Sequence, residues 1–200
     1  MLTENIKNII FDLGGVILDL DLEAAYKEFS RLSELPVEEV IRRTKGLMLF
    51  EDYETGSVSS GVFRHQINRV LDMQAKDDEI DHAWSAMLGG IPTQRLELAG
   101  QLRQSYRTFV LSNTNEIHVG HFDSIIQDHF EKVYYSHELK MRKPNIEIYE
   151  AVLSEQSLNA SETLFIDDTL DNIKGAEKLN IKTFHLESPQ QLTRLFHGAL

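Results

Sequence analysis

Ile9-Ile10-Phe11-Asp12-Leu13-Gly14-Gly15-Val16 is the stretch that decides the reading of this chain. A short run of branched and aromatic residues ends in a carboxylate and is closed by two glycines. That is the pattern of a buried strand over residues 6–11 with a polar group at its C-terminal end. In an open α/β sheet, the C-terminal ends of the strands line the crevice where ligands bind. Working outward, three further polar groups follow in order. Ser112 closes the apolar run at 107–111, Lys143 lies between predicted elements, and the pair Asp167-Asp168 closes the run at 163–166. One nucleophile, one hydroxyl, one ammonium and a carboxylate pair at a single sheet edge look like a site that handles phosphate.

The rest of the chain supplies the sheet. Strands are expected at 107–111, 132–135, 163–166 and 181–186. Helices are expected at 92–106, from about Glu116, after Pro144, at 170–179 and after Pro189. Strands that alternate with helices imply parallel pairing and right-handed crossovers. Residues 22–88 break this alternation. Leu22, Ala25, Tyr26, Phe29 and Leu32 recur at helical spacing, Pro36 opens a second helix ending near Gly46, and a third runs to Tyr53. Ser59 or Ser60 caps a fourth, with Phe63, Ile67, Val70 and Leu71 on one face, and a fifth covers 77–88. The expected fold is α/β, a Rossmann-like parallel sheet flanked by helices, formed by residues 1–16 and 92–200. A small all-helical cap, residues 17–91, is inserted after the first strand.

Composition bounds the partners. Two hundred residues are enough for one good core with a modest insertion, and the formal charge of −12 argues against a general binder of nucleic acid or anionic membrane. The chain has no cysteine, which excludes disulfides and thiolate-held zinc. No run of membrane-spanning length occurs, and Met1–Lys7 carries no apolar segment of signal-peptide type, so the default expectation is a cytoplasmic protein, monomer or homodimer.

Four segments together carry a family resemblance: Phe11-Asp12-Leu13-Gly14-Gly15-Val16, Val110-Leu111-Ser112-Asn113-Thr114-Asn115, Met141-Arg142-Lys143-Pro144, and Phe165-Ile166-Asp167-Asp168-Thr169-Leu170-Asp171-Asn172. Each alone is weak. In this order, at strand ends and with a helical block in the cap position, they resemble the haloacid dehalogenase superfamily, in particular its helical-cap phosphatases. Within that branch the chain is similar to sugar-phosphate phosphatases and to the phosphatase domain of epoxide hydrolase-like proteins.

The resemblance implies a Mg²⁺-dependent phosphomonoesterase acting on a small phosphorylated metabolite, a sugar phosphate being the first expectation. Asp12 would attack phosphorus and carry an aspartyl-phosphate, splitting one hard displacement into two easier ones. A dianionic ester repels a bare carboxylate, so a hard cation is needed; Asp12, Asp168, Asp167 and the Gly14 carbonyl are its expected ligands. Ser112 and Asn113 would bind phosphate oxygens, and Lys143 would neutralise charge on Asp12 and on phosphorus. Arg142 either reaches substrate or is a surface charge. Asn172 would orient the metal carboxylates, and Asp171 is helix surface.

One position departs from the pattern. Most superfamily phosphatases carry a second aspartate two residues after the nucleophile, which protonates the leaving group. Here that residue is Gly14. Losing a positioned acid-base group costs about two to four orders of magnitude. A cap residue or water supplies the proton, or the leaving group departs easily, or the protein binds phosphometabolites with little turnover. The first two readings make the rate depend on leaving-group pKa. Haloacid dehalogenation is a minor alternative, because an adjacent carboxylate pair suits a metal better than an anionic haloacid.

Specificity is expected from the cap. Arg42, Arg43, Lys45, Phe50, Tyr53 and Glu54 are candidates to face the site, weighed against a solvated helix face with core aromatics behind it. Trp84, His65 and His82 read as packing or surface residues, and His118 and His121 as surface residues of one helix. Asp19 either caps a helix or approaches the site.

Overall fold

Strand β1 (Asn8–Phe11) is buried along its whole length because it lies at the centre of the sheet. The computed structural model describes residues 5–196; residues 1–4 and 197–200, the two ends of the expected core segments, lie outside the described residues. β1 pairs in parallel with β2 (Arg107–Ser112) and β4 (Thr163–Asp167), so that Ile10 sits between Phe109 and Phe165. With β3 (Lys132–Tyr135) and β5 (Lys182–His185) added, the order is β3-β2-β1-β4-β5, all parallel. Such a sheet is covered on both faces, which is why its strands read as near-continuous apolar runs.

The period-2 alternation of the strands sorts side chains to the two faces. Ile9, Phe11, Val110, Leu164 and Ile166 pack with residues of α6 (Thr93–Leu102), α7 (Glu116–Ile126) and α11 (Gln190–Leu195). Ile10, Phe109, Leu111 and Phe165 pack with α9 (Ile146–Glu155) and α10 (Leu170–Glu177).

Between β1 and β2 come α1 (Leu22–Ser33), α2 (Val37–Thr44), α3 (Met48–Glu54), α4 (Ser60–Leu71) and α5 (Asp77–Ser85). These five helices build an apolar cluster of their own around Phe29, Val40, Phe63, Ile67 and Ile80. The Asp21 side chain accepts from Ala24 N to cap α1, and Ser59, not Ser60, caps α4 by accepting from Val62 N.

Local differences from the expected elements have local causes. α9 begins at Ile146 and not at Pro144, because the side chain of Asn113 holds both the N–H and the carbonyl of Lys143 in an irregular turn. α5 stops at Ser85 because Leu88 pairs with Leu20 in an antiparallel bridge between the two strands of chain that join the helical insertion to the sheet. α6 ends at Leu102, short of Tyr106. A one-turn helix, α8 (Ser136–Leu139), follows β3 directly and is not signalled by the sequence pattern.

Candidate active site

The C-terminal ends of β1, β2 and β4 meet at one edge, and they place the polar punctuation of the sequence together. Asp12 is the first residue after β1; its N–H still donates to Ile166 O across to β4, at 2.8 Å, which fixes the carboxylate relative to Asp167, the last residue of β4. Asp12, Asp167 and Asp168 each bring a carboxylate oxygen within 4.8 Å of the others. Gly15 makes this approach feasible. It adopts φ +74°, and a Cβ there would collide with the Asp168 carboxylate, so only glycine fits.

Lys143 reaches the same point from the loop between α8 and α9. It is 1 % exposed, and its Nζ donates to Asp12 Oδ1 and Asp167 Oδ2, each at 2.7 Å. Burial alone would lower its pKa, but the two carboxylates outweigh burial and raise it. Asp167 is held by two further groups: Asn172 Nδ2 donates to both of its oxygens at 3.1 and 3.0 Å, and Thr169 N donates to Oδ1 at 2.8 Å. Asp12 Oδ1 also accepts from Leu13 N at 2.7 Å, while Oδ2 takes no hydrogen bond among the described residues.

Charge is unbalanced at this edge. Burial pushes the Asp12 carboxyl up to about 7, with Asp167 adding to the rise and Lys143 opposing it. Burial and Asp167 also raise Asp168. Three carboxylates against one ammonium leave two negative charges uncompensated at this edge, where Asp12 and Asp167 are buried and Asp168 is exposed, and the donors are all hard oxygens. That is a fit for one small divalent cation such as Mg²⁺, which takes carboxylate and water oxygens.

A cavity of about 250 Å³ opens beside these groups, between the sheet edge and the helical insertion. Gly14, Ser112 and Asn113 line its floor; Phe29, Phe50, Trp84 and Phe122 are among its walls. The hydroxyl-bearing Ser112 closes β2 and is buried. Asn113 follows, with its side chain engaged by the Lys143 backbone at 2.9 Å on both sides. It thereby positions the lysine as well as lining the cavity.

The other candidates separate. Arg142 does not project freely toward the cavity: it pairs with Glu54 at 3.0 Å and lies 3.5 Å from Glu51, tying α3 to the Lys143 loop. Glu54 lines the cavity, and its carboxyl is raised by burial against the pull of Arg142. Phe50 lines the cavity too, stacked on Trp84 with ring centroids 5.2 Å apart. Tyr53 is buried behind them, bonded to Ser60 at 2.9 Å. Arg42 and Arg43 both fold back onto Glu39, and Lys45 is exposed, so this basic cluster is a solvated helix face. His65, His82 and His121 are exposed, and Asp171 is an exposed residue near Lys174. Asp19 neither caps a helix nor enters the site; Arg95 takes it at 2.7 Å.

Two residues at the cavity are not placed there by the sequence pattern. His118 is buried, not on the surface, because Trp84 stacks on it at 4.9 Å. The Asn115 amide lies 3.2 Å from its Nδ1, and Trp84 O lies 3.2 Å from its Nε2, which assigns the neutral Nε2–H tautomer. Burial lowers its pKa to about 4. Leu20 is the second: its side chain lies 2.6 Å from where a Cβ on Gly14 would stand.

Comparison with known proteins agrees with this geometry. Residues 6–180 match the family model described as haloacid dehalogenase-like hydrolase. The D-ribitol-5-phosphate phosphatase of Bacteroides thetaiotaomicron is 31 % identical over 191 residues, covering 92 % of this chain and 93 % of that protein. A crystal structure of a HAD family enzyme from the same organism, in complex with magnesium and inorganic phosphate, superposes with a TM-score of 0.88. It is 34 % identical and covers 96 % of this chain and 99 % of its own. A HAD-like family hydrolase of Porphyromonas gingivalis follows at 30 % identity and a TM-score of 0.83, covering 96 % and 98 %. With four motifs converging on one sheet edge and a family match over most of its length, the chain belongs to the haloacid dehalogenase-like hydrolases.

Proposed function

We propose that this protein is a Mg²⁺-dependent phosphatase that hydrolyses a small phosphomonoester through a phosphoaspartate on Asp12. The observation that carries the reading is the buried ammonium of Lys143 held at 2.7 Å from both Asp12 and Asp167, beside Asp168, with two negative charges left over. The phosphatase and magnesium readings also draw support from the ribitol-phosphate phosphatase and from the magnesium- and phosphate-bound relative.

Asp12, Asp167, Asp168 and the Gly14 carbonyl are the residues that would hold Mg²⁺, which supplies charge neutralisation for the incoming phosphate. Asp12 Oδ1 is fixed by Lys143 and Leu13 N, so Oδ2 is the oxygen free to attack phosphorus. The new bond is Oδ2–P; the bond broken is that between phosphorus and the leaving oxygen. Water then attacks the same phosphorus, and Asp12 is released. Lys143 stabilises charge on the carboxylate and on phosphorus throughout, as a preorganised donor in a dry site. Ser112 and Asn113 bind the non-bridging oxygens, and Asn172 keeps Asp167 oriented. Arg142 acts by closing α3 over the site through Glu54 and not by touching substrate.

In this reading residues 17–91 form the cap and residues 1–16 with 92–200 the core, the cap excluding water and selecting the leaving group. A sugar or polyol phosphate is supported by the substrate of the ribitol-phosphate phosphatase. Binding of a phosphometabolite without turnover is the second reading, favoured by Gly14 alone. One experiment separates them: phosphate release with Mg²⁺ and with EDTA, for the native chain and for Asp12→Asn. Metal-dependent release that Asp12→Asn abolishes is expected. Phosphate binding without release in a folded, Mg²⁺-binding protein would overturn the enzymatic reading.

A further inference from the structure

The cavity between the sheet edge and the helical insertion holds polar atoms that the protein leaves without partners. Ser112 and Thr114 are buried and line it, and neither hydroxyl is hydrogen-bonded among the described residues. Neither is shut off from solvent, as Thr108 Oγ1 is, so both open into the cavity. Ser112 is spent on phosphate, which leaves Thr114 Oγ1. Glu54 supplies a second atom: Arg142 Nε and Nη2 both donate to its Oε2, at 3.1 and 3.0 Å, while Oε1 takes no bond among the described residues. The Trp84 Nε1–H also lacks a partner, but it is closed off from solvent and belongs to the wall.

The second observation concerns charge. Among the described residues that line the cavity, Glu54 carries the one formal charge; no lysine or arginine lines it, and burial keeps His118 neutral at pH 7. Lys143 is taken by Asp12 and Asp167, and Arg142 by Glu54. A second anionic group on the substrate would therefore meet a carboxylate and no free cation, and like charges repel strongly where water is scarce. An apolar body fares badly for a different reason: it would strand Thr114 Oγ1 and Glu54 Oε1, and a buried polar atom without a partner is costly. Phe29, Phe50, Met87 and Phe122 offer hydrocarbon to cover a carbon chain. At about 250 Å³ the cavity lies below the roughly 300–1,000 Å³ of pockets for drug-sized ligands, so the body is small.

We propose that Glu54 and Thr114 determine specificity, and that they select a phosphomonoester whose body is small, uncharged and hydroxylated. The inference rests on the phosphatase reading above. With the phosphate at Asp12, one substrate hydroxyl donates to Glu54 Oε1 and another pairs with Thr114 Oγ1. Arg142 is a positioning residue, because it fixes Oε2 and leaves Oε1 for the substrate. The same carboxylate turns away phosphorylated acids and bisphosphates, so the selection is by repulsion as well as by fit.

The test is Mg²⁺-dependent phosphate release from ribitol 5-phosphate, pentyl phosphate and ribonate 5-phosphate, with acetyl phosphate as a small reference. The first three share a primary alkyl leaving oxygen, so they differ in body and not in the proton the leaving group needs. The expected kcat/KM for ribitol 5-phosphate exceeds that of each of the other two by about a hundredfold. Glu54→Gln keeps an oxygen for Arg142 and loses the charge; it should cut the ribitol-over-ribonate ratio about tenfold. Thr114→Val keeps the shape and loses the hydroxyl; it should cut the ribitol-over-pentyl ratio about five- to tenfold, mainly through KM. A merely structural role for either residue would slow all the esters alike and leave the ratios where they were. A ribitol ester no better than either alternative, ratios that neither substitution moves, or hydrolysis of acetyl phosphate alone would overturn the specificity assignment and leave the phosphatase reading standing. No phosphate released from any of the four would overturn both.

Discussion

Replacing Lys143 by Met isolates the electrostatic design of the site. Nζ is buried and lies 2.7 Å from Asp12 Oδ1 and Asp167 Oδ2. Met fills much of the same volume, so the change removes charge more than packing. Asp167 retains the amide of Asn172 and the N–H of Thr169, whereas Asp12 Oδ1 retains only Leu13 N. The burden therefore falls on Asp12. Removing one partner of a buried pair destabilises by about 3–5 kcal/mol, a large share of the roughly 5–15 kcal/mol that holds a domain together. The pH dependence has a definite sign. Burial already raises the native Asp12 carboxyl to about 7, above its unfolded value of 3.8, and losing Lys143 raises it further. Unfolded chains titrate alike, so the Asp12 part of the deficit opens as pH climbs through about 7 and is absent below it. Urea unfolding followed by circular dichroism in EDTA should show a midpoint lower by roughly 1–2 M at pH 8.5, and a smaller deficit at pH 5.5. Mg²⁺ should restore part of the loss, since a ligand at a hundred times its Kd stabilises by about 2.7 kcal/mol. Equal midpoints at pH 8.5, or a deficit unchanged between the two pH values, would refute the charge-balance argument.

Two further outcomes follow from the residues around the cavity. Gly14→Asp should raise kcat for alkyl phosphates by about ten- to a hundredfold, because the atoms nearest its new Cβ belong to the exposed Leu20 side chain, which turns aside at little cost; a variant no faster than the native chain would show that the missing proton does not limit the rate. His118, held near 4 against an ordinary 6.5, contributes stability that is complete above pH 6.5 and lost as pH falls toward 4, an effect of about 3 kcal/mol. The difference in unfolding free energy between the native chain and His118→Gln should shift by about that amount over this window, and a flat difference would place the imidazole in contact with water.

The sheet edge was legible in the sequence because each of its parts is a local event. Asp12, Ser112 and Asp167 each end an apolar run, and a strand's last residue is the one its parallel neighbours bring to the common edge. Lys143 was legible through its motif, but its burial was not, since that depends on Asn113 clasping the loop from 30 residues away. The helical insertion hid more. Arg42 and Arg43 carry charge that suits a phosphate, yet Glu39 sits three and four residues before them, and the short-range pair wins. His118 shares a helix with the exposed His121, so spacing alone could not separate them; Trp84, 34 residues earlier, decides which one is covered. The same holds for Gly14. As a letter in the sequence it marks only an absent carboxylate. In the fold the space where an acidic side chain would start is shared with Leu20, six residues later in the link to the helical insertion, so what enters that space is decided by the link and not by the strand.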